Sequence, residues 1–195
     1  MTRLLSFALL IALAAPALAQ DCDEPTPEQM MQGQQKMMAL MGPGPEHELL
    51  SRLVGEWGAT TNMYMPGMDA ISSPMTSTNE MILGGRFLKS TSTGSMMGMP
   101  VESVTLFGYD RRHEHYTMVG FDTMGTYYIT AAGNYDEATK TLTLNGTDDD
   151  PVMGIVQDYT FGMVFHDDGS VEFSLTFNCP TMGTGAPYRL MDYTW

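Results

Sequence analysis

The chain has 195 residues and a formal net charge of −14, with nine Lys and Arg against 23 Asp and Glu and 43% hydrophobic residues. Phosphate-backbone recognition needs a basic face, so nucleic acid is excluded as a partner, and an anionic membrane surface would repel the chain. The length fits one domain with a sizeable core, and beyond the N-terminus no segment reaches the ~18 apolar residues of a spanning helix.

In chain order the first element is a leader. Residues 1–19, MTRLLSFALLIALAAPALA, carry basic Arg3, an apolar run from Leu4 to Ala15 and the small-residue ending Ala17-Leu18-Ala19. That is the layout of a secretory signal peptide, too short and too interrupted by Pro16 to be a retained span. The expected mature chain begins near Gln20 and is exported, periplasmic or secreted, without a lipid on Cys22, because Gln20-Asp21 lacks the small residues such an anchor needs. In an oxidising compartment the two cysteines, Cys22 and Cys179, are expected to form a disulfide that ties an N-terminal arm to the rest. The alternative is two separate thiols, with Cys179 packed as a small apolar residue.

Residues 20–45 form that arm. Thr26-Pro27-Glu28-Gln29 supplies a hydroxyl N-cap, proline at the first helical position and glutamine at the third, so a helix starts there. Met30, Met31, Met37, Met38 and Met41 recur at helical spacing, and Gly42-Pro43 ends the helix. After the Gly42–Pro45 linker, residues 46–54 (EHELLSRLV) read as a second short helix whose Leu49, Leu50, Leu53 and Val54 share a face. Such a helix is suited to plug or brace one end of a barrel.

From Gly55 to Trp195 short β-rich runs alternate with Asp, Gly and Asn clusters, the rhythm of one antiparallel sheet rolled into a barrel. Strands are expected near 55–65, 74–82, 86–94, 101–109, 114–121, 126–135, 140–146, 154–165, 171–179 and 186–194. VEFSLTFNC is the clearest: Val171, Phe173, Leu175, Phe177 and Cys179 alternate with polar residues, so the odd face points inward. His166-Asp167-Asp168-Gly169 is the preceding hairpin turn, which puts Tyr159, Phe161, Met163 and Phe165 inside. The same reasoning turns Tyr127, Ile129, Ala131 and Gly133 inward, with Leu142 and Leu144 of the next strand.

The segments HELLSRLVGEW, ILGGRFL, FGYDRRHEHY and FDTMGTYYITAAGNYD resemble the bacterial domain-of-unknown-function family numbered 1579. The resemblance rests on His47 with the helical leucine pair, Gly55-Glu56-Trp57, Gly84-Gly85-Arg86, Gly108-Tyr109-Asp110, Tyr116, Asp122 with Gly125, and Gly133 with Asp136. It covers about 46–195 and leaves the Met-rich arm outside. It implies a calycin-like barrel of lipocalin shape without an established activity; Gly55-Glu56-Trp57 echoes the Gly-x-Trp that opens the first lipocalin strand. A haem-binding barrel of similar topology exists, but none of its axial histidines matches this chain. The resulting fold class is all-β: a single antiparallel up-and-down barrel of about ten strands over 46–195, calycin- or lipocalin-like, with a short N-terminal helical arm.

For ligand binding the candidate wall is Trp57, Phe107, Tyr127, Ile129, Phe161, Phe173 and Phe177, since a closed barrel is suited to hold one small hydrophobic molecule. Ordinary core packing is the alternative, and for Trp57 it takes the form of an indole closing one barrel end and donating its N–H to a carbonyl. His113 and His115 flank Glu114 at i and i+2, half of a metal site if both lie on a strand; a solvated hairpin is the rival. The twenty methionines, Met96, Met97 and Met99 above all, offer thioethers to Cu(I), against the rival that methionine fills irregular apolar space. Asp148-Asp149-Asp150-Pro151 lacks the pattern of a Ca²⁺ loop and reads as a solvated turn. No nucleophile elbow is present in the sequence. Non-covalent binding of a small hydrophobic molecule ranks first, and no cofactor is assigned. Extracytoplasmic metal handling is second; third is a barrel-interior lyase or isomerase, which requires a buried carboxylate or histidine of strongly perturbed pKa.

Overall fold

The computed structural model describes residues 24–152, 154–178 and 187–195. The leader, Cys22 and Cys179 therefore lie outside the described residues. By contacts the chain divides into two units, Met1–Met37 and Met38–Trp195.

Helix α1 spans Pro27–Leu40. Its start is a capping box: Thr26 Oγ1 accepts the Gln29 N–H at 3.2 Å and Gln29 Oε1 accepts the Thr26 N–H at 2.8 Å. The methionine stripe is not packed as its spacing implied. Met30, Met31, Met37, Met38 and Met41 are all more than half exposed, so the 3.6-residue period marks a helix here without marking a buried face.

Helix α2 spans His47–Ser51, followed by ten strands. These are β1 Gly55–Met63, β2 Ile71–Ile82, β3 Phe87–Met96, β4 Met99–Asp110, β5 His115–Asp122, β6 Tyr128–Asp136, β7 Thr141–Asp150, β8 Ile155–Phe165, β9 Val171–Phe177 and β10 Tyr188–Thr194. Each strand pairs antiparallel with its sequence neighbours, and β10 returns to β1, so the sheet closes as an up-and-down barrel. The register alternates inner and outer side chains. Along β8, Gln157, Tyr159, Phe161, Met163 and Phe165 are buried while Val156 and Asp158 are exposed. Outer faces carry groups such as Thr76, Thr93, Glu80 and Lys89. No helix among the described residues is long and apolar enough to cross a bilayer.

Among the boundaries that differ from expectation, two change the reading of a residue. Asp148-Asp149-Asp150 is no turn: β7 continues through it, pairing Asp148 with Gln157, Asp149 with Val156 and Asp150 with Ile155. A ladder partner outweighs the low strand propensity of aspartate. Val54 is 46% exposed and does not share the buried face of Leu49, Leu50 and Leu53, because α2 stops at Ser51.

At two places a glycine makes room for a cross-strand aromatic ring. At Gly146 a Cβ would run into the Tyr159 ring and the Thr130 carbonyl, which lets Tyr159 lie across β7 and donate its hydroxyl to Thr130 O at 2.9 Å. At Gly108 a Cβ would sit 2.7 Å from the Phe87 ring, so this cross-strand aromatic covers the glycine on the outer face.

The β1–β10 seam is the shortest ladder, with only Asn62↔Asp192 and Met63↔Met191 in register before Tyr64 N donates to Leu190 O at 2.8 Å. Asp192 reinforces it. Its carboxylate accepts Asn62 Nδ2 at 3.0 Å, the Tyr64 hydroxyl at 3.1 Å and Arg189 Nη1 at 3.3 Å.

Candidate functional site: the barrel interior

One end of the barrel is filled. Leu50 and Leu53 of the α2 segment are fully buried and join Leu88, Phe165, Val171 and Trp195 in one apolar cluster. Three contacts hold the α2 segment: the Tyr116 hydroxyl donates to Glu46 O at 2.9 Å, Trp57 Nε1 to Leu53 O at 2.9 Å and Asn79 Nδ2 to the same Leu53 carbonyl at 2.8 Å. His47 is buried beside them, with Nδ1 accepting the Gly44 N–H at 3.1 Å and its ring edge-on to Tyr109. Burial pushes the Tyr116 phenol up to about 12, with neighbouring Tyr109 and Glu46 acting in the same direction, and burial raises Tyr193 as well.

Above this floor the wall is two-sided. From β7 to β9 it is mostly apolar, with Leu142, Leu144, Phe161, Met163 and Phe173 buried, Leu175 and Phe177 partly buried against them, and buried Gln157 the polar exception. Phe161 and Phe173 lie 5.6 Å apart, and Phe173 stacks on Tyr193 at 4.6 Å. From β2 to β4 two inward rungs, between Leu88 and Phe107 at the α2 end and Met75 beyond, are polar. Asn79, Ser90 and Thr105 form one rung and Ser77, Ser92 and Ser103 the next. Asn79, Ser90 and Ser77 are buried, whereas Ser92, Ser103 and Thr105 are partly exposed. Toward the end opposite α2, inward-facing Met75, Ile129 and Phe177 also keep partial exposure.

Of the expected wall residues, Phe107, Phe161 and Phe173 are buried inside the barrel, and Ile129 and Phe177 pack partly buried against the same cluster. Trp57 is brought to the α2 end, where it donates to Leu53 and stacks on Trp195 at 5.9 Å, the bracing arrangement. Tyr127 is not inside. It precedes β6 and is 63% exposed, with its ring folded over Gly125. Pairing starts at Phe121↔Tyr128, and outside a ladder the two-residue alternation has no meaning.

His113 lies in the β4–β5 turn, where Glu114 has φ 55°, so only His115 belongs to a strand. The rings nevertheless stack at 5.8 Å, and His113 Nδ1 sits 2.8 Å from Asp110 Oδ2. Hydrogen bonds from the Arg112 side chain, from His113 and from the Arg112 backbone hold the Asp110 carboxyl well below the usual range. Among the described residues no group of three or more His, Cys, Asp or Glu is placed to hold a metal ion. Met97 lies in the β3–β4 hairpin turn Met97-Gly98, flanked by paired Met96 and Met99; Met97 and Met99 are exposed and Met96 is partly buried.

The carboxyls held below the ordinary range, Asp110, Asp167, Asp168 and Asp192, belong to hairpin turns or the outer seam. Burial opposes the shift at Asp192, and the donors Asn62, Tyr64 and Arg189 outweigh it. The groups that burial perturbs within the barrel are phenols. A groove of about 300 Å³ follows the outer seam, lined by Thr60, Asn62, Glu172, Asp192, Tyr193 and Thr194. Its charged groups are occupied with one another: Arg189 reaches Glu172 at 3.7 Å and Asp192 at 3.3 Å.

The two polar rungs were missed by sequence reasoning. In ISSPMTSTNEMI the inward set Ile71, Ser73, Met75, Ser77, Asn79, Met81 is about as polar as the outward set, so alternation alone does not orient β2. The usable signal was a pair of small polar residues two positions apart on three successive strands: Ser77 and Asn79, Ser90 and Ser92, Ser103 and Thr105.

A family model described as "Protein of unknown function (DUF1579)" matches residues 42–194. Among solved structures the chain is similar to the crystal structure of Rv2717c from M. tuberculosis. The TM-score is 0.55 at 15% identity, covering 77% of this chain and 96% of that one, a likeness of fold alone. No curated protein matches the chain.

Proposed function

The chain belongs to the DUF1579 family, and from its barrel we propose that it binds one small, largely hydrophobic molecule non-covalently in the barrel interior. The observation that carries this reading is the inner wall itself. It is sealed at one end by Leu50, Leu53, Trp57 and Trp195, while the inward residues Met75, Ile129 and Phe177 toward the other end retain exposure. Ten strands enclose a wider interior than eight, the number at which side chains just fill a barrel or leave room for one small ligand. Phe107, Phe161, Phe173 and Phe177 supply the apolar contact. Trp57 serves as a brace for the floor. We infer from the sequence alone that the chain is exported through its N-terminal leader and that its two cysteines, Cys22 and Cys179, form a disulfide.

Titration with the neutral fluorophore N-phenyl-1-naphthylamine tests the reading: saturable one-to-one binding that Ile129→Trp weakens is the expected result. Native mass spectrometry of protein taken from its own host should show a co-purifying small molecule. No saturable binding of the fluorophore, with no co-purifying mass, refutes the proposal. Export predicts a mature N-terminus at Gln20 by N-terminal sequencing and no thiol alkylated before reduction.

A further inference from the structure

We propose that the six-residue polar tile on the inner face of β2, β3 and β4 selects an uncharged ligand headgroup that both donates and accepts hydrogen bonds, such as a primary amide or hydroxyl, and discriminates against a carboxylate. This rests on the binding reading above and specifies its ligand class.

The tile is built by register. Asn79 pairs with Ser90 and Ser90 with Thr105; one rung along, Ser77 pairs with Ser92 and Ser92 with Ser103. All six positions share the inward face of three neighbouring strands. Two observations set the tile apart from a merely small-residue stripe. Asn79 is 2% exposed and uses its Nδ2 on Leu53 O, but its buried Oδ1 has no partner. Leaving a buried acceptor unpaired is destabilising, which favours a donor supplied from outside the chain. Ser90, directly opposite at 4% exposure, has no hydrogen bond from its hydroxyl among the described residues. The Ser77 and Ser92 hydroxyls bond to each other at 2.7 Å, and one of the two protons remains free to be donated outward. The tile therefore presents an acceptor at Asn79 and hydroxyls at Ser90, Ser92, Ser103 and Thr105.

Charge decides which headgroups fit. The Lys and Arg side chains of the barrel unit lie in turns or on outer faces: Lys89 pairs with Glu80, Arg189 with Asp192, and Arg52 covers the Phe165 ring at 4.9 Å. A carboxylate drawn in against the tile would be desolvated without a cation and would face the Asn79 oxygen. A carboxamide of the same shape gives its N–H to Asn79 Oδ1 and accepts from a serine hydroxyl. The apolar body of the ligand then lies along the Phe161–Phe173 side of the barrel.

Displacement of bound N-phenyl-1-naphthylamine by decanamide and by decanoate, at pH 7.5 on the full mature chain, tests this. Decanamide should displace at about tenfold lower concentration than decanoate. Ser92→Ala with Thr105→Val should weaken decanamide about tenfold more than it weakens the fluorophore, each affinity being measured in the same variant, and Thr105→Val alone, a change that keeps the side-chain shape, serves should the pair fold poorly. Decanoate displacing as well as decanamide, or decanamide affinity unaltered in the variants, overturns the tile while the binding reading stands. Failure of the fluorophore to bind the unaltered chain, with no small molecule co-purifying, overturns both.

Discussion

The Leu53 carbonyl accepts two side-chain donors, Trp57 Nε1 at 2.9 Å and Asn79 Nδ2 at 2.8 Å, and this shared acceptor gives a sharp test of how the α2 segment is held. Trp57→Phe removes one donor and keeps an aromatic ring against Trp195, so the cost is one net hydrogen bond plus some buried area, about 1–2 kcal/mol. Asn79→Leu is close to shape-conserving. It deletes the second donor but also the unpaired Oδ1, two effects of about 1 kcal/mol each and opposite sign, so the single change should lie within about 1 kcal/mol of neutral. In either single variant the carbonyl still has a partner. In the double variant it has neither, and a buried orphaned acceptor adds about 1–3 kcal/mol beyond the sum of the two. Urea unfolding followed by tryptophan fluorescence, which Trp195 still reports after Trp57 is replaced, measures all four corners of the cycle. Additivity within about 0.5 kcal/mol would show that the two bonds do not share the work of holding α2 and would refute the reasoning.

Gly146→Ala should destabilise by about 1–3 kcal/mol, because its methyl meets the Tyr159 ring and the Thr130 carbonyl; a melting temperature equal to that of the unaltered chain would show that β7 yields there. Asp192→Ala removes the acceptor shared by Asn62, Tyr64 and Arg189 across the shortest ladder, costing about 2–3 kcal/mol and speeding amide exchange in β1 and β10. Asp158→Ala, which loses the hydroxyl donor Thr147 on the continuous β7–β8 ladder, is the control and should cost at most about 1 kcal/mol. The Asp192 carboxyl is lowered in the fold, so its contribution is present above the ordinary aspartate pKa and lost as pH falls through the lowered value; acid-side unfolding profiles of Asp192→Asn should flatten in that window. Tyr116 and Tyr193 are raised in the fold, so their contribution is complete below the ordinary tyrosine value near 10 and declines as pH rises above it, that of Tyr116 being lost by about 12. Denaturant midpoints between pH 8 and 12 should fall over that interval, and Tyr116→Phe should remove part of the fall.

How far each feature could be read in advance follows from the range of the interaction that makes it. The α1 start was legible because a capping box is closed within four residues, and the His166–Gly169 turn because Gly169 takes φ 90° locally. In β9, apolar Val171, Phe173, Leu175 and Phe177 alternate with Glu172, Ser174 and Thr176, and that contrast between the two faces is visible in one strand alone. Tyr127 shows the limit. It has the parity of Ile129 and Ala131, but the ladder begins one residue after it, and where pairing begins is decided by β5. The aspartates of β7 failed for the same reason, since the partner strand β8 overrides their local preference for a turn.

What the sequence determined by itself was the class and count of elements: ten strands, two short helices, and an apolar inner face from β7 to β9, all consequences of side-chain periodicity and turn chemistry acting over a few residues. The tertiary structure alone decided that Asn79, Ser90 and Thr105, drawn from three strands, form one polar rung, and that Trp57 and Asn79 meet on a single carbonyl of Leu53. Those neighbours depend on the register of each successive strand pair, and a slip of one residue in any of them would exchange the inner face for the outer.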